Sequence, residues 1–332
     1  MGFTLLVVVI ITTLIFEYIN GMHDAANAIA TVVSTKALSP RKAVAYGALM
    51  NVFGAFAGTH VAKTIGGGII DVEIVTQLTI LCALFGAIFW NLFTWYVGIP
   101  SSSSHALIGG LMGAAWAKAG VGAIHIAETV EKIIAPMLTS PAVGFFVGMF
   151  LMIALYWVAY KHVPVKIHRT FRKCQLVSSG FLAFAHGSND AQKTMGIITL
   201  ALFTYGAIPT VDVPLWVIVI CALCMGAGSM AGGWRIIHTL GNKIIKLEPI
   251  QGFAAEASAS GIILTASHFG IPISTTHVIS TSIMGVGSTK GFSAVKWGLV
   301  GRIVQAWFLT IPMCMLLAAG TYRLITWLTG LS

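Results

Sequence analysis

Two stretches of this chain read almost alike, and each cuts an apolar segment in two. Residues 98–113 are GIPSSSSHALIGGLMG and residues 270–285 are GIPISTTHVISTSIMG, with Gly, Ile, Pro, Ser, His, Met and Gly recurring in register. A proline followed by a run of small hydroxyl residues cannot be ordinary lipid-facing helix. It frees backbone N–H and C=O groups, which inside a membrane are tolerated only where protein or a water-filled cavity satisfies them. Paired interruptions in the two halves of a chain are the best sequence pointer to a transporter's binding site.

The surrounding sequence requires a bilayer. Of 332 residues, 57% are hydrophobic and 9% charged, with a mean hydropathy of +0.90. That excludes a soluble domain and predicts an integral membrane protein whose solvent is the lipid bilayer. The length allows roughly ten crossing or re-entrant segments of about 20 residues each. The expected segments are 3–36, 42–64, 73–97, 103–118, 139–160, 175–206, 213–233, 250–269, 275–289 and 303–329. Polar breaks are expected in the first, at 20–27, and in 175–206, at 187–194. Residues 121–135, with His125, Glu128, Glu131 and Lys132, are expected as an interfacial or short surface helix. Phe3 to Phe16 lacks a basic leader and reads as part of a retained helix, not a cleaved signal. The five cysteines are scattered, and Cys221-x-x-Cys224 has no histidine partners, so they read as packing thiols.

Charge orients the segments. Net charge is +9, which reads as loop bias and gives nucleic-acid binding no support. One set of loops holds Lys36, Arg41, Lys42; Lys161, Lys166, Arg169, Arg172, Lys173; Arg235, Lys243, Lys246; and Lys290, Lys296, Arg302, with Glu248 as its acid. The opposite loops hold Asp71, Glu73, Glu128, Glu131 and Asp212 against Lys63, Lys118 and Lys132. Basic loops lie in the cytoplasm, so both termini are expected outside a multi-pass cytoplasmic (inner) membrane protein. Segment 3–36 then runs inward and 175–206 outward, yet they carry related motifs, GMHDAANA at 21–28 and GSNDAQKT at 187–194. The predicted fold is therefore an all-α integral membrane protein of two inverted-topology repeats with broken helices. Two re-entrant helical hairpins enter from opposite faces and meet at the midplane. Residues 1–160 form the first repeat with its tip at 99–105, 161–174 a short basic cytoplasmic linker, and 175–332 the second repeat with its tip at 271–277.

Ionisable residues at membrane depth are few: Glu17, Asp24, Asp190, Lys193 and Glu256. Each is costly there and is a functional candidate by default, against the alternative of a buried structural pair. The tips, Ser101–Ser104 and Ser274–Thr276, precede helices. A helix N-terminus offers free N–H groups and partial positive charge, and hydroxyls add donors without charge, so two facing tips suit an oxyanion. A serine at such a place also caps a helix, but four in a row exceed what capping needs. Asp24, Asn27, Asn189 and Asp190 fit an anion site only if a cation binds among them or a carboxyl carries a proton. The chemistry is cation-coupled anion symport. His105 and His277 follow the tips and read either as hairpin anchors or as groups with a proton or substrate role.

The chain resembles the inorganic phosphate transporter (PiT) family, and within it the bacterial low-affinity Pit proteins. The resemblance spans nearly the whole chain: FEYINGMHDAANAIATV (16–32), WNLFTWYVGIPSSSSHALIG (90–109), FAHGSNDAQK (184–193), MAGGWRIIHTLGNKI (230–244) and GIPISTTHV (270–278). It implies inverted repeats, inorganic phosphate as substrate, Na⁺ or H⁺ as coupling cation, and often a homodimer. It implies a phosphate site of Ser102, Ser103, Ser104, Ser274, Thr275, Thr276 and Asn189. It implies coupling-ion residues Asp24, Asn27 and Asp190, to which Glu256 is added, with Gln192, Lys193, His105 and His277 as accessory candidates. Many members carry a long soluble loop between the halves, which here shrinks to about 161–174. Animal members carry Glu where this chain has Gly54 and Asn where it has Lys193, while Glu256 matches their second-half Glu. A lysine ammonium near the site can replace one bound sodium, which inclines the coupling ion toward H⁺ and leaves Na⁺ open.

Hydroxyls and helix N-termini do not choose among tetrahedral anions, so sulfate stays open as a substrate. A channel built from the half-helices is the alternative of another class, disfavoured by the midplane carboxylates. An enzyme is not expected: no nucleophile–base set, metal-ligand spacing or nucleotide loop stands out, and no resident metal or cofactor is implied.

Overall fold

The computed structural model describes residues 2–67 and 74–330. Asp71 and Glu73 lie outside the described residues. All the elements among the described residues are helical. They are α1 (Gly2–Ser34), α2 (Pro40–Ala55), α3 (His60–Gly67), α4 (Gln77–Val97), α5 (Ser103–Ala119), α6 (Ile126–Thr129) and α7 (Ala135–Ala159). Then follow α8 (Pro164–Tyr205), α9 (Leu215–Ala231), α10 (Trp234–His238), α11 (Pro249–His268), α12 (Thr275–Ser288) and α13 (Trp297–Thr329).

The two hairpins follow from three local rules applied twice. Gly98 and Gly270 adopt φ of 76° and 68°, a left-handed conformation that stops a helix with little steric penalty. Pro100 and Pro272 lie two residues on, where they prevent the helix from resuming. Ser102 and Ser274 then cap α5 and α12, their hydroxyls accepting from the N–H groups of His105 and His277 at 3.2 Å.

Several sequence expectations are corrected. No break occurs at 20–27 or 187–194; α1 and α8 run unbroken through both motifs. Neither motif contains proline, and its polar side chains find partners on neighbouring helices, so the backbone keeps its own ladder. Segment 42–64 is two helices, parted at 56–59 by Gly58 and its neighbours. Segment 213–233 is followed by a turn of 62° at Gly232 and by a short helical stretch, Trp234–Gly241, that was not anticipated. Residues 126–135 are not a separate surface helix, because they continue into α7 through a wide turn at Val130–Ile134. That turn precedes Pro136, which has no N–H to offer the preceding turn. Residues 164–174 form the first turns of α8, so only 160–163 separate it from α7.

Four described helical stretches are long and apolar enough to cross a membrane: Gly2–Ser34, Gln77–Val97, Ile126–Ala159 and Trp297–Thr329. The bent pair Leu215–Ala231 and Trp234–Gly241 adds a fifth if counted as one span. Phe146, Phe150 and Trp157 on α7 and Leu316, Leu324 and Trp327 on α13 face outward. Glu17, Asp24, Asp190 and Glu256 are all buried. Apolar outside and ionisable inside is the distribution that a lipid solvent selects.

The element order repeats. The series α1, α2–α3, α4–α5, α7 is followed by α8, α9–α10, α11–α12, α13. Packing partners swap between the halves: α1 lies on α9 and α8 on α2, while α5 lies on α13 and α12 on α7. Gly21 and Gly187, at matching places in the two motifs, allow this: a Cβ on either would run into a neighbouring backbone carbonyl, Met225 or Asn51. The motif faces of α1 and α8 pack together with both hairpin tips beside them.

Candidate functional site

The tips bring their first helical turns into contact at the centre of the protein, where Ser102 to His105 and Ser274 to His277 are all buried. The helix α1 presents Asp24 and Asn27 to the second tip. Asn27 Nδ2 donates to Thr276 Oγ1 at 2.8 Å, and the Thr276 hydroxyl donates to Asp24 Oδ1 at 3.4 Å. The same carboxylate oxygen takes His23 Nδ1 at 2.7 Å. The far ring nitrogen of His23 meets Thr94 at 3.1 Å, and Thr94 in turn bonds Ser101 of the first tip at 2.8 Å.

The helix α8 supplies the other side. Asp190 accepts from the Thr275 hydroxyl at 2.8 Å, has His186 Nε2 at 3.0 Å, and pairs with the Lys193 ammonium. Lys193 also donates to Ser104 Oγ of the first tip and to the Ile273 carbonyl of the second, the latter at 2.9 Å. His186 Nδ1 donates to Asn51 Oδ1 at 3.0 Å, and Asn51 is oriented by its own bond to Ser229. One oxygen or nitrogen from each of Asp24, His186 and Asp190 lies within 4.8 Å of the others, a buried set able to hold a cation.

The remaining predicted residues divide. Ser102 and Ser274 spend their hydroxyls as caps. Ser103 is buried, and its hydroxyl has no hydrogen-bond partner among the described residues. Asn189 donates to Ser267 at 2.9 Å, and its carbonyl oxygen, like that of Asn27, is without a partner among the described residues. Gln192 turns away from the tips, accepting from Val61 N–H at 2.8 Å and donating to the Ser188 carbonyl at 2.5 Å. Glu256 makes no direct contact with the two aspartates. It is caged by Thr31 at 2.6 Å, Gln175 at 2.9 Å and the Ser178 hydroxyl. Glu17 sits in another pocket of polar groups, taking Thr194 at 2.5 Å and Asn20 at 3.3 Å.

Sequence reasoning passed over His23, Thr94, His186 and Asn51. His186 was within reach, because it lies four residues before Asp190 and therefore on the same helix face. Asn51 and Thr94 carried no signal, since their roles depend on packing between distant segments.

Unbroken polar helices and two facing hairpins around buried carboxylates define a transporter-type membrane fold. A family profile described as "Phosphate transporter family" matches residues 20–318, and the chain belongs to that family. A protein of Rhizobium meliloti (strain 1021) is 47% identical over 324 residues, 97% of each chain. One of Mycobacterium tuberculosis (strain ATCC 25618 / H37Rv) is 45% identical over 98% of this chain and 79% of its own length. One of Bacillus subtilis (strain 168) is 44% identical over 97% of each. All three carry the name "Probable low-affinity inorganic phosphate transporter". A solved structure named "The sodium-dependent phosphate transporter" superposes with a TM-score of 0.86 at 24% identity, covering 98% of this chain and 99% of that one, and it shares the fold.

Proposed function

We propose that this chain imports inorganic phosphate across the cytoplasmic membrane by symport with a cation, H⁺ or Na⁺. One site between the two hairpin tips is exposed to either side in turn. The observation that carries this reading is that neighbouring hydroxyls of the second tip bond both buried carboxylates, Thr276 to Asp24 and Thr275 to Asp190, while Ser104 of the first tip is tied to Asp190 through Lys193. An anion cradle of helix N-termini and hydroxyls thereby shares its ligands with a cation site. Neither half is electrically comfortable alone. A buried carboxylate needs a cation, and the phosphate that follows needs the same charge balanced.

Ser103, Ser104, Thr275, Thr276 and the N-terminal N–H groups of α5 and α12 serve the phosphate. Asp24, Asn27 and Asp190 serve the cation, and the Asn27 and Asn189 carbonyls supply neutral oxygen. The buried Ser103 hydroxyl and the Asn27 and Asn189 carbonyl oxygens, without partners among the described residues, are free to meet a polar ligand here. The relatives' names favour phosphate over sulfate. The repeated element order and swapped packing support two repeats, and the basic loops favour an inverted arrangement with both termini outside.

Labelled phosphate uptake into proteoliposomes, with Na⁺ and pH gradients imposed separately, tests the reading. Phosphate should accumulate against its gradient under one of the two. Passive equilibration under both would rule out symport, and preferential accumulation of labelled sulfate would reassign the substrate.

A further inference from the structure

The two halves differ in charge at one matched position. Aligning GMHDAANA on GSNDAQKT sets Asp24 on Asp190 and Asn27 on Lys193. The match holds in space. Asn27 reaches from α1 to Thr276, and Lys193 reaches from α8 to Ser104, the residue that corresponds to Thr276 in the other tip. Each side chain thus joins its own half's aspartate motif to the other half's hairpin.

Their chemistry is opposite. Asn27 is neutral, and its carbonyl oxygen is buried without a partner among the described residues, so it can turn an acceptor toward a cation beside Asp24. An ammonium has three N–H donors and no acceptor. Lys193 places them on Asp190, Ser104 and the Ile273 carbonyl, an anionic and two neutral oxygens. A carboxylate, a hydroxyl and a backbone carbonyl are the ligand types that a hard cation takes. Lys193 is 3% exposed, so its charge acts inside the protein and not in solvent.

We propose that Lys193 is a built-in cation. It fills, on the second half's side of the site, the place that a mobile coupling cation fills beside Asp24 and Asn27. The chain therefore moves one coupling cation fewer per phosphate than a version of itself with asparagine at both positions. Asp24, Asp190 and Lys193 together leave one uncompensated negative charge, which one mobile cation neutralises before the anion enters. This rests on the symport reading above and fixes its charge balance.

The test is the charge moved per phosphate. Purified protein in proteoliposomes is held at the same pH on both sides. Flux reversal is measured across imposed K⁺–valinomycin potentials with Na⁺ present. Lys193→Asn should raise the net positive charge carried per phosphate by one, and its phosphate uptake should become more steeply dependent on Na⁺. The reciprocal Asn27→Lys should lower it by one, losing gradient-driven accumulation while retaining phosphate–phosphate exchange. A transport-competent Lys193→Asn with unchanged charge per phosphate overturns the proposal. So does Asn27→Lys protein that still accumulates phosphate, which decides the matter alone if Lys193→Asn fails to reach the membrane. Both variants present but unable to carry or bind phosphate at any Na⁺ concentration also overturn it. Wild-type protein that moves no phosphate would instead defeat the symport reading.

Discussion

The imidazoles of His105 and His277 lie with ring centroids 4.9 Å apart and planes inclined at 57°. Each begins the second arm of its hairpin, so this contact fixes the two tips against one another. His277 also stacks on Trp307 of α13 at 4.0 Å, and the Trp307 indole N–H donates to the Pro100 carbonyl at 3.1 Å. A continuous path runs from the second tip through α13 to the backbone of the first. The histidines therefore have a packing role at the tips.

Trp307→Phe keeps the stacked ring and removes the bond to Pro100. It should cost about 0.5–1.5 kcal/mol, the net worth of a buried hydrogen bond, and weaken phosphate affinity by loosening the first tip. Trp307→Ala also opens a cavity and should cost about 3–5 kcal/mol. Thermal unfolding in detergent and uptake kinetics measure both. Equal stability of the two variants would remove Trp307 from the link between the tips.

Ser103→Ala and Thr275→Ala separate binding from folding. The Ser103 hydroxyl has no partner among the described residues, so its loss should leave stability nearly unchanged. Phosphate affinity should fall by about a few-fold to tenfold, corresponding to about 0.5–1.5 kcal/mol. Thr275→Ala also strips a donor from Asp190, and should lower both affinity and stability. Wild-type affinity in both variants would take the hydroxyls out of the phosphate site.

Asp24→Asn and Asp190→Asn should each abolish gradient-driven accumulation, but they should differ in stability. Asp190→Asn leaves the buried Lys193 ammonium without its counter-charge, a change worth about 3–5 kcal/mol. Asp24→Asn leaves no lysine or arginine stranded, and the protein should fold normally. Uptake by proteoliposomes and thermal unfolding of each variant check this. Concentrative uptake by either would exclude that aspartate from coupling.

The sequence was most legible where structure is local. Gly-Ile-Pro followed within two residues by the capping serine states its helix stop, its barrier and its cap together, so both hairpins lie close to the expected bounds. It was least legible where partners come from far away. The cage around Glu256 joins Thr31, Gln175 and Ser178 from two other helices, and no spacing within α11 announces them. The polar motifs looked like helix breaks because Asn, Asp and Gly are poor helix formers. Tertiary partners outweigh that preference: Asn27 finds Thr276, Asp190 finds Lys193, and Gly187 gives α2 the room to approach. The short helix α10 was missed because five residues carry too little pattern.

The α2–α8 contact also leaves no room for a side chain at Gly54. A Cβ on Gly54 of α2 would strike the Phe184 carbonyl of α8 and come within 3.0 Å of the Ser188 nitrogen. Gly54→Ala should therefore force the two helices apart and cost about 1–3 kcal/mol, the usual range for overpacking. Gly54→Glu should prevent folding unless neighbouring positions change as well. Membrane yield and thermal unfolding decide, and wild-type stability of Gly54→Ala would show that the α2–α8 contact yields readily.

The proposed orientation makes the last prediction. Asp212, in the connection from α8 to α9, is exposed and pairs with Lys63 at 2.8 Å. Glu248, just before α11, is exposed and pairs with Lys290 at 2.8 Å. Loop charge puts Asp212 among the acidic loops outside and Glu248 beside Lys243 and Lys246 inside. In a cysteine-free background, Asp212→Cys should react with an impermeant thiol reagent added to intact cells, and Glu248→Cys only after the membrane is opened. Both pairs are solvent-exposed and worth about 0–1 kcal/mol, so neither substitution should disturb the fold. Labelling of both from outside, or the reverse pattern, would overturn the opposed entry of the two hairpins. The proposed turn-by-turn exposure of a single phosphate site would fall with it, because that site needs one tip reached from each face.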